Sequence, residues 1–371
     1  MSLEQGVSEF PMKKKICLVI PSLHAGGMER VMSELASYFC TNPEIEVHLL
    51  LYGIKPEIFY HLHERIILHK PHFVFNNNRR IWYSIKTMIF LRKKVNSLKP
   101  DTVLSFGEYW NSFVLIALYG LKFRVFVSDR CQPDKSLGGL HNFLRRYLYP
   151  RAAGVIIQTE KAREIYQRMI PGTKLTVIGN PIRSIGIHND IPKENIILSV
   201  GRLIRSKHHD ELIRLFVAMR EPGWKLIIIG DDAIKQQNKA NLQALIKELK
   251  AEDKVVLTGS VSDVDSYYKK SKIFAFTSSS EGFPNVIGEA MSAGIPVIAF
   301  DCVAGPAEII TDGYDGILVP LYDYNLYSLK LKELMNNTDK QKILGINAIT
   351  SIKKFDAFSI GEKYLQLITN S

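Results

Sequence analysis

Three loops of the sequence combine glycines, cations and carboxylates in a pattern that suits an anionic ligand rich in hydroxyl groups. The first contains Gly26 and Gly27 ahead of Glu29 and Arg30. Paired glycines let backbone amides approach a ligand closely, and a helix that begins here adds partial positive charge toward an anion. A glycine turn needed only for packing is the alternative. The pattern is not GxGxxG and no acidic residue closes the next strand, so NAD binding is disfavoured.

The second loop runs from Gly201 to Lys207, after the first apolar run of the second half of the chain. It carries Arg202 and Arg205 as well as Lys207. Two or three cations between a strand and a helix suit a diphosphate, because each charge-assisted hydrogen bond contributes about 1.5 to 3 kcal/mol. A solvated basic loop is the alternative.

The third loop is the most specific, because two glutamates eight residues apart bracket a Gly-Phe-Pro turn and the start of a helix. We expect Glu281 in the loop and Glu289 two turns into the helix. One carboxylate could then accept hydrogen bonds from sugar hydroxyls and the other from ribose hydroxyls, while the amides near Asn285 and Val286 face phosphate. An ordinary amphipathic helix with a capped start is the alternative.

The elements that must position these loops are short apolar runs that alternate with segments of helical period. Such continuous runs are typical of parallel strands buried on both faces. In these sheets, ligands bind beyond the carboxyl ends of the strands. We therefore predict two doubly wound parallel sheets, an α/β fold, joined by an irregular segment from Gly179 to Pro192. The predicted strands are 16–20, 47–51, 102–106, 124–128, 154–158, 175–178, 196–200, 225–229, 255–258, 273–276, 296–300 and 317–319.

The three loops, in this order, resemble those of the retaining nucleotide-sugar glycosyltransferases of family 4, which have the GT-B fold of two Rossmann-like lobes facing each other across a cleft. The resemblance covers Lys13 to the C-terminus. It implies that Arg202 and Lys207 hold the donor diphosphate, that Glu289 contacts the ribose and Glu281 the donor sugar, and that no metal is needed. The donor-binding residues that we expect on this basis are Gly26, Gly27, Gly201, Arg202, Lys207, Glu281, Phe283, Pro284, Asn285, Val286 and Glu289.

The sequence departs from the family pattern after the strand 124–128. Many members place a histidine there, whereas this chain has Asp129-Arg130-Cys131. Arg130 keeps a cation but removes a titratable group, which favours steadying a phosphate over proton transfer. Whether Asp129 does more than cap a turn stays open. The catalytic residues that we expect are Arg202, Lys207, Glu281, Asp129 and Arg130.

The net charge of the chain, 48 − 37 = +11, belongs to one half of it. Residues 1–189 hold 26 basic and 14 acidic side chains, a net of +12, and residues 190–371 hold 22 and 23, a net of −1. Such asymmetry indicates an anionic partner on the first half. We find no stacking platform with base-reading residues, so nucleic acid is disfavoured.

An anionic membrane surface is the partner that the first half suits. The segment 79–94 mixes basic residues with an apolar stripe at helical spacing, and a second basic aromatic cluster follows at 145–149. Basic amphipathic helices with aromatic residues suit an anionic membrane. The alternative is a helix that faces the core and exposes a solvated basic side. The stripe comprises Ile81, Ile85, Met88 and Ile89, and the second cluster comprises Arg145, Arg146, Tyr147 and Tyr149.

Several other signals point to no special chemistry. Four widely spaced cysteines without a CxxC pair indicate neither a zinc cluster nor a redox dithiol, so reduced thiols in a cytoplasm are expected. Asp263-Val264-Asp265 matches a metal-binding Asp-x-Asp motif, but Asp263 as a helix N-cap explains it better. Pro21 ends the run Ile16–Ile20 too early for a signal peptide. No stretch reaches the roughly 20 apolar residues that span a bilayer.

The domain prediction has five parts: 1–11, leader or added residues; 12–182, the acceptor-side lobe; 183–195, a linker; 196–355, the nucleotide-sugar lobe; and 356–371, a helix that crosses back to the first lobe. We expect a glycosyltransferase at the inner membrane face that moves a hexose or N-acetylhexosamine from a UDP-sugar to a glycan acceptor. We expect that acceptor to be lipid-linked. Family members with an Asn-Pro-Ile linker resembling Asn180-Pro181-Ile182 include N-acetylgalactosamine and galactose transferases. The alternatives are a non-catalytic two-lobed sugar-binding protein and an epimerase-like relative.

Overall fold

The computed structural model describes residues 13–24, 26–53, 57–186, 191–233 and 236–370, so the predicted segment 1–11 lies outside the described residues. Seven parallel strands form the first sheet in the order β3-β2-β1-β4-β5-β6-β7. Their residues are largely apolar and buried, as expected of strands covered on both faces. The strands are β1 (Lys14–Ile20), β2 (Ile45–Leu51), β3 (Ile67–His69), β4 (Thr102–Phe106), β5 (Arg124–Ser128), β6 (Gly154–Ile157) and β7 (Leu175–Val177).

Six parallel strands form the second sheet in the order β10-β9-β8-β11-β12-β13. The prediction of two doubly wound parallel sheets is therefore confirmed. The strands are β8 (Glu194–Val200), β9 (Lys225–Ile229), β10 (Val255–Gly259), β11 (Ser271–Phe276), β12 (Val297–Asp301) and β13 (Ile317–Pro320).

Helices cover both sheets. The first lobe, which is the part of the chain around the first sheet, carries α1 (Gly27–Thr41), α2 (Arg80–Leu98), α3 (Glu108–Ala117), α4 (Gly139–Leu148) and α5 (Glu160–Met169). The second lobe, around the second sheet, carries α6 (His209–Met219), α7 (Asn238–Glu248), α8 (Asp265–Lys270), α9 (Asn285–Ser292), α10 (Pro306–Ile309), α11 (Tyr324–Met335) and α12 (Thr338–Ile352), and α13 (Ala357–Asn370) follows.

The strand order places the chemically suggestive loops at the switch point of each sheet. In the first sheet β1 lies between β2 and β4, and in the second sheet β8 lies between β9 and β11. At such a strand, the chain connections on its two sides run in opposite directions along the sheet. This reversal opens a crevice at the carboxyl end of the strand. The loops after β1, β8 and β11 all end at these crevices.

The last helix, α13, docks on the first lobe although it follows the second in sequence. Thr102 in β4 donates a hydrogen bond to the carbonyl of Ile368 at 2.7 Å, and the hydroxyl of Tyr38 donates to Glu362 at 3.1 Å. At Gly361 an added Cβ would lie only 2.3 Å from the Tyr38 ring, so glycine permits the close approach of α13 to α1.

Two details of the prediction are wrong. Strand β3 was not predicted, since it has only three residues and exposes Ile67 and Leu68 at the sheet edge. Helix α9 begins at Asn285, so Glu289 stands just over one turn into the helix rather than two.

Candidate active site

The glycine loop of the first lobe faces the start of α9 in the second lobe. Tyr60 fixes this loop, because its hydroxyl accepts from the amide of Gly26 at 2.9 Å and donates to the carbonyl of the same residue at 2.8 Å. An added Cβ on Gly27 would lie 3.6 Å from Nδ2 of Asn285. The start of α1 and the start of α9 therefore face each other across the two lobes.

Lys207 and Glu281 form an ion pair at the centre of the second-lobe loops. Nζ of Lys207 donates to Oε1 of Glu281 at 2.5 Å, and both side chains are largely buried. The lysine stem crosses Gly201, where an added Cβ would come within 3.3 Å of Cε of Lys207. Arg202, in the same loop, is exposed to solvent. A buried cation, its carboxylate partner and an exposed arginine thus gather at the carboxyl end of β8.

The turn before α9 is held by packing, and it leaves the helix start uncapped. Phe283 is buried against Phe355, with the ring centroids 5.2 Å apart. Pro284 precedes the helix without a side-chain cap, so the N-terminal turn keeps its partial positive charge. Asn285 begins α9, and the carbonyl of Val286 accepts from the Tyr268 hydroxyl at 3.5 Å.

Glu289 lies in an ion pair between the two lobes. Its Oε1 accepts from Nη1 of Arg30 in α1, and its Oε2 accepts from the hydroxyl of Tyr268 at 3.0 Å. Arg183 lies 3.9 Å from the same Oε1. The carboxylate that the resemblance assigns to the ribose is therefore already paired, and a ribose would have to share it with Arg30.

Arg30 also serves a second carboxylate, Glu34, one turn later in α1. Nε of Arg30 lies 3.4 Å from Oε1 of Glu34. Burial raises the pKa of Glu34 to about 7, the charge of Glu289 adds to that rise, and Arg30 and Arg183 oppose it. Two carboxylates thus share one buried guanidinium, and burial favours the neutral form of Glu34.

Arg130 is anchored by parts of the chain that are distant in sequence. Its guanidinium lies 3.9 Å from the ring centroid of Phe106, its Nη2 donates to the hydroxyl of Tyr364 in α13 at 2.5 Å, and its Nη1 donates to Oδ1 of Asn180. The carbonyl of Arg130 lies 2.7 Å from where a Cβ on Gly282 would stand. The structure therefore brings the backbone of Arg130 against the third loop.

Asp129, for which a catalytic role was expected, is buried within the first lobe. Its carboxylate is buried and accepts from Asn111 at 2.8 Å and from the hydroxyls of Tyr149 at 2.6 Å and Tyr166. All three partners belong to the first lobe, and burial raises the pKa of Asp129. Asp129 thus ties α5 and the residue after α4 to the end of β5, directly before Arg130.

Sequence reasoning missed the residue that links these parts, Asn180. Its Oδ1 accepts from Gln158 at 2.6 Å as well as from Arg130, and its Nδ2 donates to Oδ1 of Asn285 at 2.8 Å. One buried amide therefore connects two first-lobe loops to the first residue of α9. The Asn-Pro-Ile segment that marks the linker was the available signal, since a buried asparagine needs partners.

The rejected metal motif has ordinary partners. Oδ1 of Asp263 accepts from the amide of Ser266 at 3.1 Å, as a helix-capping aspartate does, and Asp265 pairs with Arg183 at 2.5 Å. Among the described residues, no group of three or more His, Cys, Asp or Glu side chains could hold a metal ion.

Helix α2 turns the three isoleucines of its apolar stripe outward, whereas Met88 packs against the core. Ile81 is 80% exposed, Ile85 and Ile89 are more than two-fifths exposed, and Trp82 lies beside them at 55%. In the part of the chain that the structure describes, no helix is long and apolar enough to cross a membrane. The second cluster is only partly at the surface, because Arg145 and Tyr149 are buried while Arg146 and Tyr147 are exposed.

Comparisons with known proteins converge on one family. The family described as "Glycosyltransferase Family 4" matches residues 25–184, and the family described as "Glycosyl transferases group 1" matches residues 183–351. A Campylobacter jejuni protein named N-acetylgalactosamine-N,N'-diacetylbacillosaminyl-diphospho-undecaprenol 4-alpha-N-acetylgalactosaminyltransferase is 30% identical, over 96% of this chain and 99% of its own length. The amylovoran biosynthesis glycosyltransferase AmsD of Erwinia amylovora is 28% identical over 89% of this chain and 92% of its own.

Solved structures share the two-lobed fold. HepE of Anabaena, solved with UDP-glucose, superposes with a TM-score of 0.79 at 18% identity and covers 96% of this chain and all of its own. The lipopolysaccharide outer core galactosyltransferase WaaB, in its apo form, gives a TM-score of 0.76 at 22% identity over 96% of this chain and 99% of its own.

Proposed function

The chain belongs to the family 4 glycosyltransferases, and from that premise we propose that it transfers an N-acetylhexosamine, first of all N-acetylgalactosamine, from a UDP-sugar to a lipid-linked glycan with retention of configuration. The observation that carries the proposal is the convergence at one cleft of Lys207, Glu281 and the uncapped start of α9, opposite Gly27. The names of the Campylobacter relatives support the choice of sugar and of a diphospho-undecaprenol acceptor.

Stabilisation of the leaving diphosphate does most of the catalytic work in this proposal. As the bond from the sugar to the diphosphate breaks, negative charge grows on the phosphate oxygens, and preorganised donors lower the barrier most where charge develops. Lys207, exposed Arg202 and the first turn of α9 supply those donors. Lys207 pairs with Glu281, so donor binding would exchange part of that ion pair for phosphate.

Glu281 then gains a second use. Once a phosphate also binds Lys207, the carboxylate of Glu281 can accept a hydrogen bond from a hydroxyl of the donor sugar. In the same way, the carboxylate of Glu289 can accept from the ribose as well as from Arg30. Arg130 meets the third loop through its backbone carbonyl at Gly282, and its guanidinium bonds Asn180, which in turn bonds the first residue of α9. We assign it to steadying a phosphate, not to moving a proton, because a guanidinium does not titrate near neutral pH.

The two lobes divide the substrates. We assign the donor to residues 196–355 and the acceptor to 12–182, with 183–195 as the linker and 356–371 returning to the first lobe. The exposed apolar row on α2, together with the basic residues around it, would rest on an anionic bilayer, where a lipid-linked acceptor lies. We therefore propose that the enzyme works at a membrane surface.

The test is UDP release from a panel of UDP-sugars, with and without a diphospho-polyprenol-linked glycan. We expect release with one N-acetylhexosamine donor, and a loss of about hundredfold or more in the Arg202→Ala/Lys207→Ala variant. The matched control is Lys225→Ala/Lys254→Ala, two exposed lysines next to the amino ends of strands in the same lobe, which should keep the wild-type rate. Equal rates in both double variants would refute the assigned donor site.

A further inference from the structure

A basic groove lies on the first lobe, between the edge strand β3 and helix α2. It encloses about 510 Å³, and its floor contains Phe90. Three lysines, Lys70, Lys93 and Lys94, and two histidines, one of them His69, line it, and no described carboxylate does. A concave surface with one sign of charge attracts and concentrates ions of the other sign.

The carboxylate that could neutralise the groove is already engaged. Glu46, on β2, bonds Nε2 of His48 at 2.7 Å and lies 3.8 Å from Nζ of Lys15. Nδ1 of His48 in turn bonds Nε2 of His69 at 2.9 Å, and the two rings stack. Burial, together with the positive charge of Lys94, lowers the pKa of His69 to about 4. His69 is therefore a neutral part of the groove wall, and the described lining holds three lysines and no carboxylate.

The rim of the groove shows which anion fits. Ile81, Ile85, Ile89 and Lys93 follow one another at intervals of four residues, so they form one row along α2. The three isoleucines are exposed, and the row ends at the groove with a lysine. A soluble phosphate would gain nothing from an exposed apolar row, whereas a phospholipid has acyl chains to lie along it and a phosphate for the lysines.

We propose that this groove binds the phosphate of an anionic membrane phospholipid, whose chains extend along the isoleucine row of α2. The proposal rests on the membrane contact assigned under the proposed function and gives it a defined headgroup site. The groove lies at the far edge of the first sheet, beyond β2 and β1, so it is separate from the donor site. Occupation of the groove would hold the first lobe on the bilayer while the cleft opens and closes.

The experiment is flotation of the full-length protein with vesicles of phosphatidylcholine alone or with added phosphatidylglycerol. We expect binding to the anionic vesicles only. The Lys93→Gln/Lys94→Gln variant should lose about tenfold or more in affinity, whereas the control Lys122→Gln/Lys174→Gln, which removes two exposed charges elsewhere on the first lobe, should lose less than about threefold. Equal losses in the two variants would overturn a defined site in favour of a diffuse charge effect.

Two further arms identify the source of the phosphate. Ile85→Ser/Ile89→Ser should weaken flotation by a similar factor, and millimolar inorganic phosphate should not displace the wild-type protein at constant ionic strength. Full displacement by inorganic phosphate, with no effect of the serine substitutions, would overturn the lipid assignment. Circular dichroism and thermal melts of each variant separate loss of binding from loss of folding. Because no UDP-sugar is present, the outcome does not depend on whether the protein transfers a sugar.

Discussion

Removal of Arg30 tests how strongly the two lobes are tied together. The side chain of Arg30 is 17% exposed and that of Glu289 only 6%, so Arg30→Met leaves a carboxylate buried without its main partner. Breaking one side of a buried ion pair costs about 3 to 5 kcal/mol. Tyr268 still donates to Oε2 and Arg183 lies 3.9 Å from Oε1, so the lower end, about 3 kcal/mol, is the better value.

Differential scanning calorimetry without nucleotide measures this loss. For a lobe of this size, about 1 kcal/mol corresponds to about 2 to 4 °C, so the transition should fall by about 6 to 12 °C. Raising the salt concentration should change this difference little, because the pair is buried. The control is Lys161→Met, which breaks an ion pair with Glu164 whose side chains are 57% and 52% exposed, and it should shift the transition by about 2 °C at most.

Two results would refute this reasoning. One is an Arg30→Met transition within about 2 °C of the wild type, which would mean that water or Arg183 fully replaces the lost guanidinium. The other is strict additivity of Arg30→Met and Glu289→Gln in the double variant, since contacting residues should show a coupling energy of about 0.5 to 3 kcal/mol.

Three more outcomes follow from the site geometry. Tyr364→Phe removes the hydroxyl that holds Arg130 and keeps the ring, so kcat should fall by about tenfold while KM for the donor and the melting temperature stay nearly constant; a change confined to melting temperature would contradict a positioning role. Gly282→Ala puts a Cβ 2.7 Å from the carbonyl of Arg130, so steady-state kinetics should show a large loss of kcat/KM in a folded protein, and wild-type activity would show that the lobes need not approach this closely. In the folded protein the pKa of Glu34 is raised from 4.5 to about 7. The folded state is therefore most stable below pH 4.5, where Glu34 is protonated, and it loses stability as the pH rises through 7. Glu34→Gln should therefore match the wild type near pH 5 and exceed it by about 2 to 3 kcal/mol at pH 8 in urea unfolding, and an equal difference at both pH values would contradict the assigned burial of charge.

The sheets could be predicted because parallel strands buried on both faces need continuous apolar runs. Nearly every predicted run coincides with an observed strand to within a residue or two, from Thr102–Phe106 in the first sheet to Lys225–Ile229 in the second. Strand β3 escaped prediction because it has only three residues and lies at the sheet edge, where its backbone pairs with β2 alone.

Individual residues of the candidate site could be predicted from the sequence, but their hydrogen-bond and ion-pair partners could not. Gly27, Lys207 and Glu281 were identifiable because each lies in a loop after a strand with a residue type suited to phosphate or sugar. The partner of Glu289, by contrast, is 259 residues away in sequence, and it depends on how the two lobes dock. The burial of Asp129 likewise depends on two tyrosines from later elements, which no local pattern reveals.

The central claim is a sugar transfer with retention to a lipid-linked acceptor, and the product of one reaction tests it most directly. The purified protein is incubated with UDP-N-acetylgalactosamine and a diphospho-polyprenol-linked glycan, and the product is analysed by mass spectrometry and proton NMR. Our account predicts a product one N-acetylhexosamine heavier whose new anomeric proton shows the small coupling of an α-linkage, as in the donor. A β-linked product would contradict retention. The absence of any product with every UDP-sugar, while the protein remains folded, would contradict the proposed function itself.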